Sequence, residues 1–225
     1  MRAFFVTATG TEIGKTFVTA AIARHFTAKG HAVNVLKPVL TGFDPKDFSG
    51  SDPAILLKAT GRQPSLSEIE RVSPFRFKAP LAPNLAAERE GRRLDFSAVV
   101  KCCEDAARAR DALLLIEGIG GLMVPLDNER TVLDLIEALE FPAILVTGSY
   151  LGTISHTLTA LEVAKTRKLD IAALVISESE GSTVSLGGTA ATLRKFTQIP
   201  IYSIPRNDHE ATAKTIAQLA ERLCT

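Results

Sequence analysis

Lys15 and Thr16 close the stretch TATGTEIGKT (7–16). An ammonium and a hydroxyl in that order are what a phosphate loop uses, the first to reach outer phosphates and the second to bind Mg2+. An apolar run, AFFVT (3–7), precedes the stretch, and KTFVTAAIARHFTAKG (15–30) follows it. In the latter, Val18, Ile22 and Phe26 fall at i, i+4 and i+8, and Gly30 suits a helix stop. A strand, a glycine-rich turn and a Lys-Thr pair opening a helix is the context in which this motif carries weight. Backbone N–H groups would wrap the phosphates, with Ile13, Gly14, Lys15, Thr16 and Phe17 around them, and the helix N-terminus would add partial positive charge. The common spacing GxxxxGK[ST] asks for glycine at position 9, where Thr9 stands between Ala8 and Gly10. The helix-terminal half of the motif is complete. Partition-type ATPases carry a signature lysine where this chain has Gly10, which argues against a membrane or DNA-partitioning switch.

Three more stretches supply what a nucleotide enzyme needs. VLKPVLTG (35–42) ends an apolar run with Lys37 and Thr41. Strand ends beside a phosphate loop line the ligand crevice of an open parallel sheet, and a second lysine there would neutralise charge on a transferring phosphoryl group. SGSDPA (49–54) offers Asp52, which alone reads as an ordinary turn or cap aspartate. ALLLIEGIGGLMVP (112–125) is an apolar strand ending in Glu117, followed by a loop with Gly118, Ile119 and Gly120. A carboxylate there is the Walker-B arrangement, with Glu in place of Asp, and holds Mg2+ directly or through water.

The elements that must position these residues alternate along the chain. Apolar runs at 32–39, 112–118, 143–148, 171–177 and 201–205 read as strands. Patterns at 95–110, 131–139, 153–168, 184–196 and 209–223 read as helices. Strands that are continuous apolar runs, separated by helices, predict an α/β fold: a mostly parallel sheet with helices on both faces, of the P-loop NTPase type. Residues 41–94 interrupt the rhythm with six prolines and only short helical hints, so the expectation is a single domain over 1–225 with an elaborated insert at about 41–94. A net charge of +1 gives no reason to expect nucleic acid or an anionic membrane as partner. The N-terminal apolar run is short for a signal peptide, and no run approaches a transmembrane span, so a cytoplasmic protein is expected. Cys102, Cys103 and Cys224 show no metal-ligand spacing and read as reduced structural thiols.

Taken in order, TATGTEIGKT, KPVLTG, GSDPA, EGIGG and LGTISH (151–156) resemble the motifs of the dethiobiotin synthetase family. That family shows a T-G-T-D/G-T-x-x-G-K-T loop, a K-P-V-x-S/T-G strand end, an S-D in the insert, an E-G-A-G-G loop and an L-G-x-x-N-H helix start. The resemblance implies a ligase that uses ATP and Mg2+ to close a ureido ring on 7,8-diaminononanoate with CO2. A carbamate of one amine takes the γ-phosphoryl group, and the second amine then expels phosphate. It further implies that Lys15 and Lys37 steady the phosphates and the carbamate and that Thr16, Asp52 and Glu117 hold Mg2+. Thr11 and Thr41 would meet the diamine end, with Glu12 at the loop tip between substrate and nucleotide. Gly152, Thr153 and Ser155 would present the helix N-terminus to the substrate carboxylate of a neighbouring subunit, implying a homodimer.

This chain departs from the family pattern at three places. Ala8 replaces the first glycine of the loop, and Ser155 replaces asparagine. Ser177-Glu178 stands where an Asn-Asp pair often reads adenine, and a serine cannot offer a two-pronged amide contact. The expectation is looser base selection, with CTP or GTP partly replacing ATP. From position alone, Pro205, Arg206 and Asn207 would complete the base pocket. Two alternatives stay open: a related P-loop amidoligase fed by a separate glutaminase, and a nucleotide-dependent switch without ligase chemistry.

Overall fold

The computed structural model describes residues 2–108 and 111–224. Among them, eight strands and nine helices follow one another as β1 (Ala3–Ala8), α1 (Lys15–Ala28), β2 (Val33–Leu36), β3 (Val39–Leu40), α2 (Asp52–Ala59), α3 (Leu66–Val72), β4 (Phe75–Arg76), α4 (Pro83–Arg89), α5 (Phe96–Ala107), β5 (Leu113–Glu117), α6 (Val132–Leu139), β6 (Ala143–Thr147), α7 (Thr153–Thr166), β7 (Ile171–Ser177), α8 (Leu186–Leu193), β8 (Ile201–Ile204) and α9 (His209–Cys224). Six strands form one sheet in the order β2-β5-β1-β6-β7-β8, every neighbouring pair parallel. The α/β class and the parallel sheet expected from the sequence are what the chain adopts.

Side chains alternate across a strand, so each central strand feeds two cores. Phe4, Val6 and Ala8 of β1 pack with α1, α2 and α9, while Phe5 turns to the opposite face, toward α4, α5 and α6. Leu145, Leu174 and Ile176 meet α7 and α8. Burial on both faces is why these strands read as unbroken apolar runs.

The run 32–39 is not one strand. Pro38 lacks an N–H to donate and cannot continue a ladder, so the chain leaves the main sheet at Lys37, whose N–H goes to Val72 O at 2.8 Å. It then forms β3, which pairs with β4 in a separate two-stranded ribbon. The insert is also more regular than its prolines suggest. Pro53 and Pro83 sit in the first turns of α2 and α4, and the hydroxyl of Ser65 accepts from Glu68 N to cap α3. Proline's fixed φ and missing donor suit a first helical turn, so these two prolines open helices. The helix expected at 95–110 is observed as α5, and residues 109 and 110 lie outside the described residues.

Because all six strands of the main sheet run the same way, their C-terminal ends share one edge. The loop after β1, Lys37 after β2, Glu117 at the end of β5, Ser177 at the end of β7 and Pro205 after β8 all emerge there.

Candidate active site

The phosphate loop tolerates its unusual residues because of where the strand stops. Ala8 is the last residue of β1, fully buried in the core, and does not have the positive φ that would favour glycine. Thr9 N donates to Val146 O at 2.9 Å, and its hydroxyl lies 3.0 Å from that of Thr147. The left-handed turn falls later, at Glu12 (φ +58°) and Gly14 (φ +96°). Gly14 is required for a second reason: a Cβ there would stand 2.5 Å from Ser177 Oγ. Glu12 adopts the same region with a side chain, a conformation that costs about 1 kcal/mol or more and concentrates at ligand sites. Helix α1 opens at Lys15 with no side-chain cap and no acidic residue in its first turn, so its leading amides stay available to an anion.

Beside this loop lies a charge cluster built on the buried Lys37 and Glu117, with Asp52 partly exposed. Lys37 Nζ is 2.9 Å from Asp52 Oδ2 and 2.7 Å from Glu117 Oε1, and it donates to Gly118 O at 3.2 Å. Thr16 Oγ1 donates to the same Glu117 Oε1 at 2.9 Å. Lys15 Nζ donates to Gly10 O at 3.3 Å. Burial, and then the neighbouring charge of Lys37, pulls the pKa of Lys15 down to about 8. Burial also works against the charge of Lys37, but Glu117 and Asp52 outweigh it and hold its pKa above the ordinary 10.5. For Asp52, burial is outweighed by the Lys37 ammonium, and its carboxyl stays below the ordinary 3.8.

The donor set fits Mg2+. Among the described residues no three His, Cys, Asp or Glu side chains form a metal cage. Mg2+ does not need one: it commonly takes one or two carboxylates, a hydroxyl and phosphate oxygens. Glu117 Oε2 is buried with no hydrogen-bond partner. An orphaned carboxylate oxygen beside Thr16 and Asp52 is the hard ligand such an ion would satisfy.

A cleft of about 780 Å³ gathers Thr11, Glu12, Gly14, Lys15, Thr16, Phe17, Lys37, Thr41, Asp52, Ile119 and Gly120. A second cavity of about 670 Å³ shares Glu12, Gly14 and Phe17 with it and adds Ile13, Ser177, Glu178, Pro205, Arg206 and Asn207. There, Glu178 Oε2 accepts from Arg206 N at 2.8 Å, and Arg206 pairs with Glu180. Gly152, Thr153 and Ser155 line neither cavity. They sit at the start of α7, where the Thr153 hydroxyl is buried, donating to Gly148 O at 2.8 Å and lying 2.9 Å from Thr147 Oγ1. Thr153 N donates to Tyr150 O at 3.1 Å and the residue is buried, which leaves the exposed Gly152 and Ser155 to face a ligand.

Some lining residues carry no sequence signal of their own. Pro80, Leu81, Ala82 and Pro83 wall the cleft, and Tyr150 lines the second cavity. A proline pair bracketing Leu81 ahead of α4 is a rigid turn, but nothing in APLAP specifies chemistry.

A family model described as an AAA domain matches residues 2–214. The ATP-dependent dethiobiotin synthetase of Caulobacter sp. is 48% identical over 210 residues, covering 92% of this chain and 90% of that protein. The ATP-dependent dethiobiotin synthetase of Caulobacter vibrioides is 48% identical over 208 residues, covering 92% and 93%. Among solved structures, the MinC:MinD cell division complex of Aquifex aeolicus matches with a TM-score of 0.58 at 12% identity, covering 100% of this chain and 96% of that one, a likeness of fold alone.

Proposed function

The chain belongs to the dethiobiotin synthetase family, and from that premise we propose how its own residues close a ureido ring. It is an ATP-dependent cyclo-ligase of biotin synthesis, acting on 7,8-diaminononanoate and CO2. A carbamate oxygen would be activated by phosphoryl transfer from ATP, the bond from the γ-phosphorus to ADP breaking as the bond to the carbamate oxygen forms, and Mg2+ when bound would offset the phosphate charge.

In this reading, Lys15 and the amides opening α1 hold the phosphates. Thr16, Asp52 and Glu117 would hold the metal. Thr11 and Thr41 orient the diamine so that its carbamate oxygen is in line with the γ-phosphorus. Lys37 neutralises charge spreading over the transferring group. The second amine then attacks the carbamate carbon, a C–N bond forms, the C–O bond to phosphate breaks, and the amine proton leaves. No covalent bond to the protein is needed, so positioning and charge carry the rate. One observation carries the reading: Lys37 is buried at the crossing of two carboxylates in the same cleft as the phosphate loop.

The second cavity would receive the base. With Ser177 Oγ turned against Gly14, the end of β7 offers the base no two-pronged amide, and we expect CTP and GTP to replace ATP in part. The start of α7 faces neither cavity of its own subunit, which supports a homodimer in which it serves the neighbour. A cytoplasmic location follows from the biosynthetic role.

The test is phosphate release with ATP, Mg2+ and bicarbonate, with and without the diamine, following dethiobiotin by mass spectrometry. We expect diamine-dependent release matched by dethiobiotin, and measurable turnover when CTP or GTP replaces ATP. Release that ignores the diamine would favour a nucleotide switch. Turnover confined to ATP would reject the base assignment alone.

A further inference from the structure

We propose that Lys37 is the resident counter-ion of the metal site, holding Asp52 and Glu117 together when no divalent cation is bound and yielding them to the cation when it arrives. The inference rests on the metal-binding part of the reading above.

An ammonium has three donors. Lys37 directs them at Asp52 Oδ2, Glu117 Oε1 and Gly118 O. None is left for a substrate anion, so the geometry described here is a holding state. To serve phosphoryl transfer, Lys37 must release at least one of these partners.

Two carboxylates face the Lys37 ammonium with Lys15 beside them, and Glu117 Oε2 remains buried without a partner. The cluster is therefore one hydrogen bond short while its charges already balance. A divalent cation would meet that deficit and add positive charge. With the cation in place, two carboxylates would balance it, and the Lys37 ammonium would become surplus charge beside it, with Lys15 close by. Like charges in a buried site repel strongly. The four-carbon stem of a lysine lets the ammonium pivot, and Lys37 lines the same cleft as Thr11 and Thr41. Metal arrival thus frees the ammonium toward the place where the substrate anion would bind. The consequence is that Lys37 receives its anion only once the metal is in place.

The closing experiment uses no diamine and no turnover, so it stands or falls separately from the ligase reaction. Mn2+ binding to the ADP-bound protein is measured by the free-ion EPR signal in native protein and in Lys37→Met, which keeps the stem and removes the charge. Removing the competing ammonium is expected to tighten Mn2+ on the order of tenfold, within the usual range of coupling between sites. Mn2+ affinity that is unchanged or weaker would overturn the proposal. Should Lys37→Met fail to fold, native protein decides. Amine-selective NMR follows the Lys37 ammonium signal, assigned by its absence in Lys37→Arg, in EDTA with ADP and again with Mg2+ and ADP. We expect the signal of a buried, ion-paired ammonium in EDTA, and its shift or loss on adding Mg2+. A signal unmoved by bound Mg2+ would sink the counter-ion role.

Discussion

At the scale of residues, Lys15 is the charged group most at odds with its surroundings. Its folded pKa of about 8 lies below the ordinary 10.5 because burial, and then Lys37, disfavours the charge. Between those two values the unfolded chain binds more protons than the folded one, so stability rises with pH through that window. The buried ammonium therefore costs stability at and below pH 8, which nucleotide phosphates would offset. With metal removed by EDTA, ADP affinity should fall as pH rises past 8, and binding above pH 8 should take up a proton. Calorimetry in two buffers of different ionisation heat reads that proton directly. In Lys15→Arg the slope should vanish, because a guanidinium does not titrate in this range. A flat native profile across pH 8 would show that Lys15 is not the titrating phosphate ligand. Residues with motif context were legible at this scale: Lys15, Thr16 and Glu117 each stood between a strand pattern and a loop or helix. Asp52 was not legible alone, because an aspartate before a proline has the form of any turn. Only the Lys37 ammonium 2.9 Å away marks it as part of the cluster.

At the scale of elements, the glycine loop after β5 is held by the start of α6. Leu133 N donates to Leu122 O at 2.9 Å and Val132 N to Val124 O at 3.0 Å. That helix start depends on Asp134, whose Oδ2 accepts from Thr131 N at 2.6 Å and Thr131 Oγ1 at 2.8 Å, while Oδ1 meets Arg167 at 2.8 Å. Removing such a cap by Asp134→Ala should cost about 1 kcal/mol in urea unfolding at neutral pH. Burial would raise the Asp134 pKa, but the Thr131 N–H, Arg167 and the Thr131 hydroxyl outweigh it and hold it below 3.8. A depressed carboxyl contributes stability above its unfolded pKa and loses it as pH falls through the folded value. The gap between native and variant should therefore narrow in acid below pH 3.8, and a gap constant with pH would mean that packing, not the charged cap, is being measured. The sheet and its flanking helices were legible because a strand buried on both faces and an amphipathic helix have different periods. The insert was not. Its prolines read as breaks, whereas Pro53 and Pro83 open helices, and that distinction depends on the packing of the following turn against the core. Likewise the run 32–39 hid the departure at Pro38, the step that carries Lys37 out of the sheet and into the cleft.

At the scale of the whole molecule, the proposed homodimer needs an interface, and exposed apolar side chains at the C-terminal edge of the sheet offer one. Leu151, 83% exposed, immediately precedes Gly152 and the start of α7. Met123, 54% exposed, lies on the loop after β5, and both loops leave the C-terminal edge of the main sheet. A single exposed apolar side chain is ordinary. Here two such residues accompany a helix N-terminus that lines neither cavity of its own chain. A second copy seated on this edge would cover both side chains and give the α7 amides a substrate to meet, and a twofold interface of that kind repeats itself at no further cost in surface design. Leu151→Asp would place a charge, desolvated on association, at that interface. Sedimentation should then shift from dimer to monomer. Because the phosphate loop and charge cluster belong to one chain, ADP binding should persist, while diamine-dependent phosphate release should collapse through a raised KM for the diamine. A native protein that sediments as a monomer at assay concentrations and still turns over would remove the neighbouring subunit from the mechanism, and the substrate carboxylate would have to be held within one chain, by the cleft wall from Pro80 to Pro83 or the loops facing it.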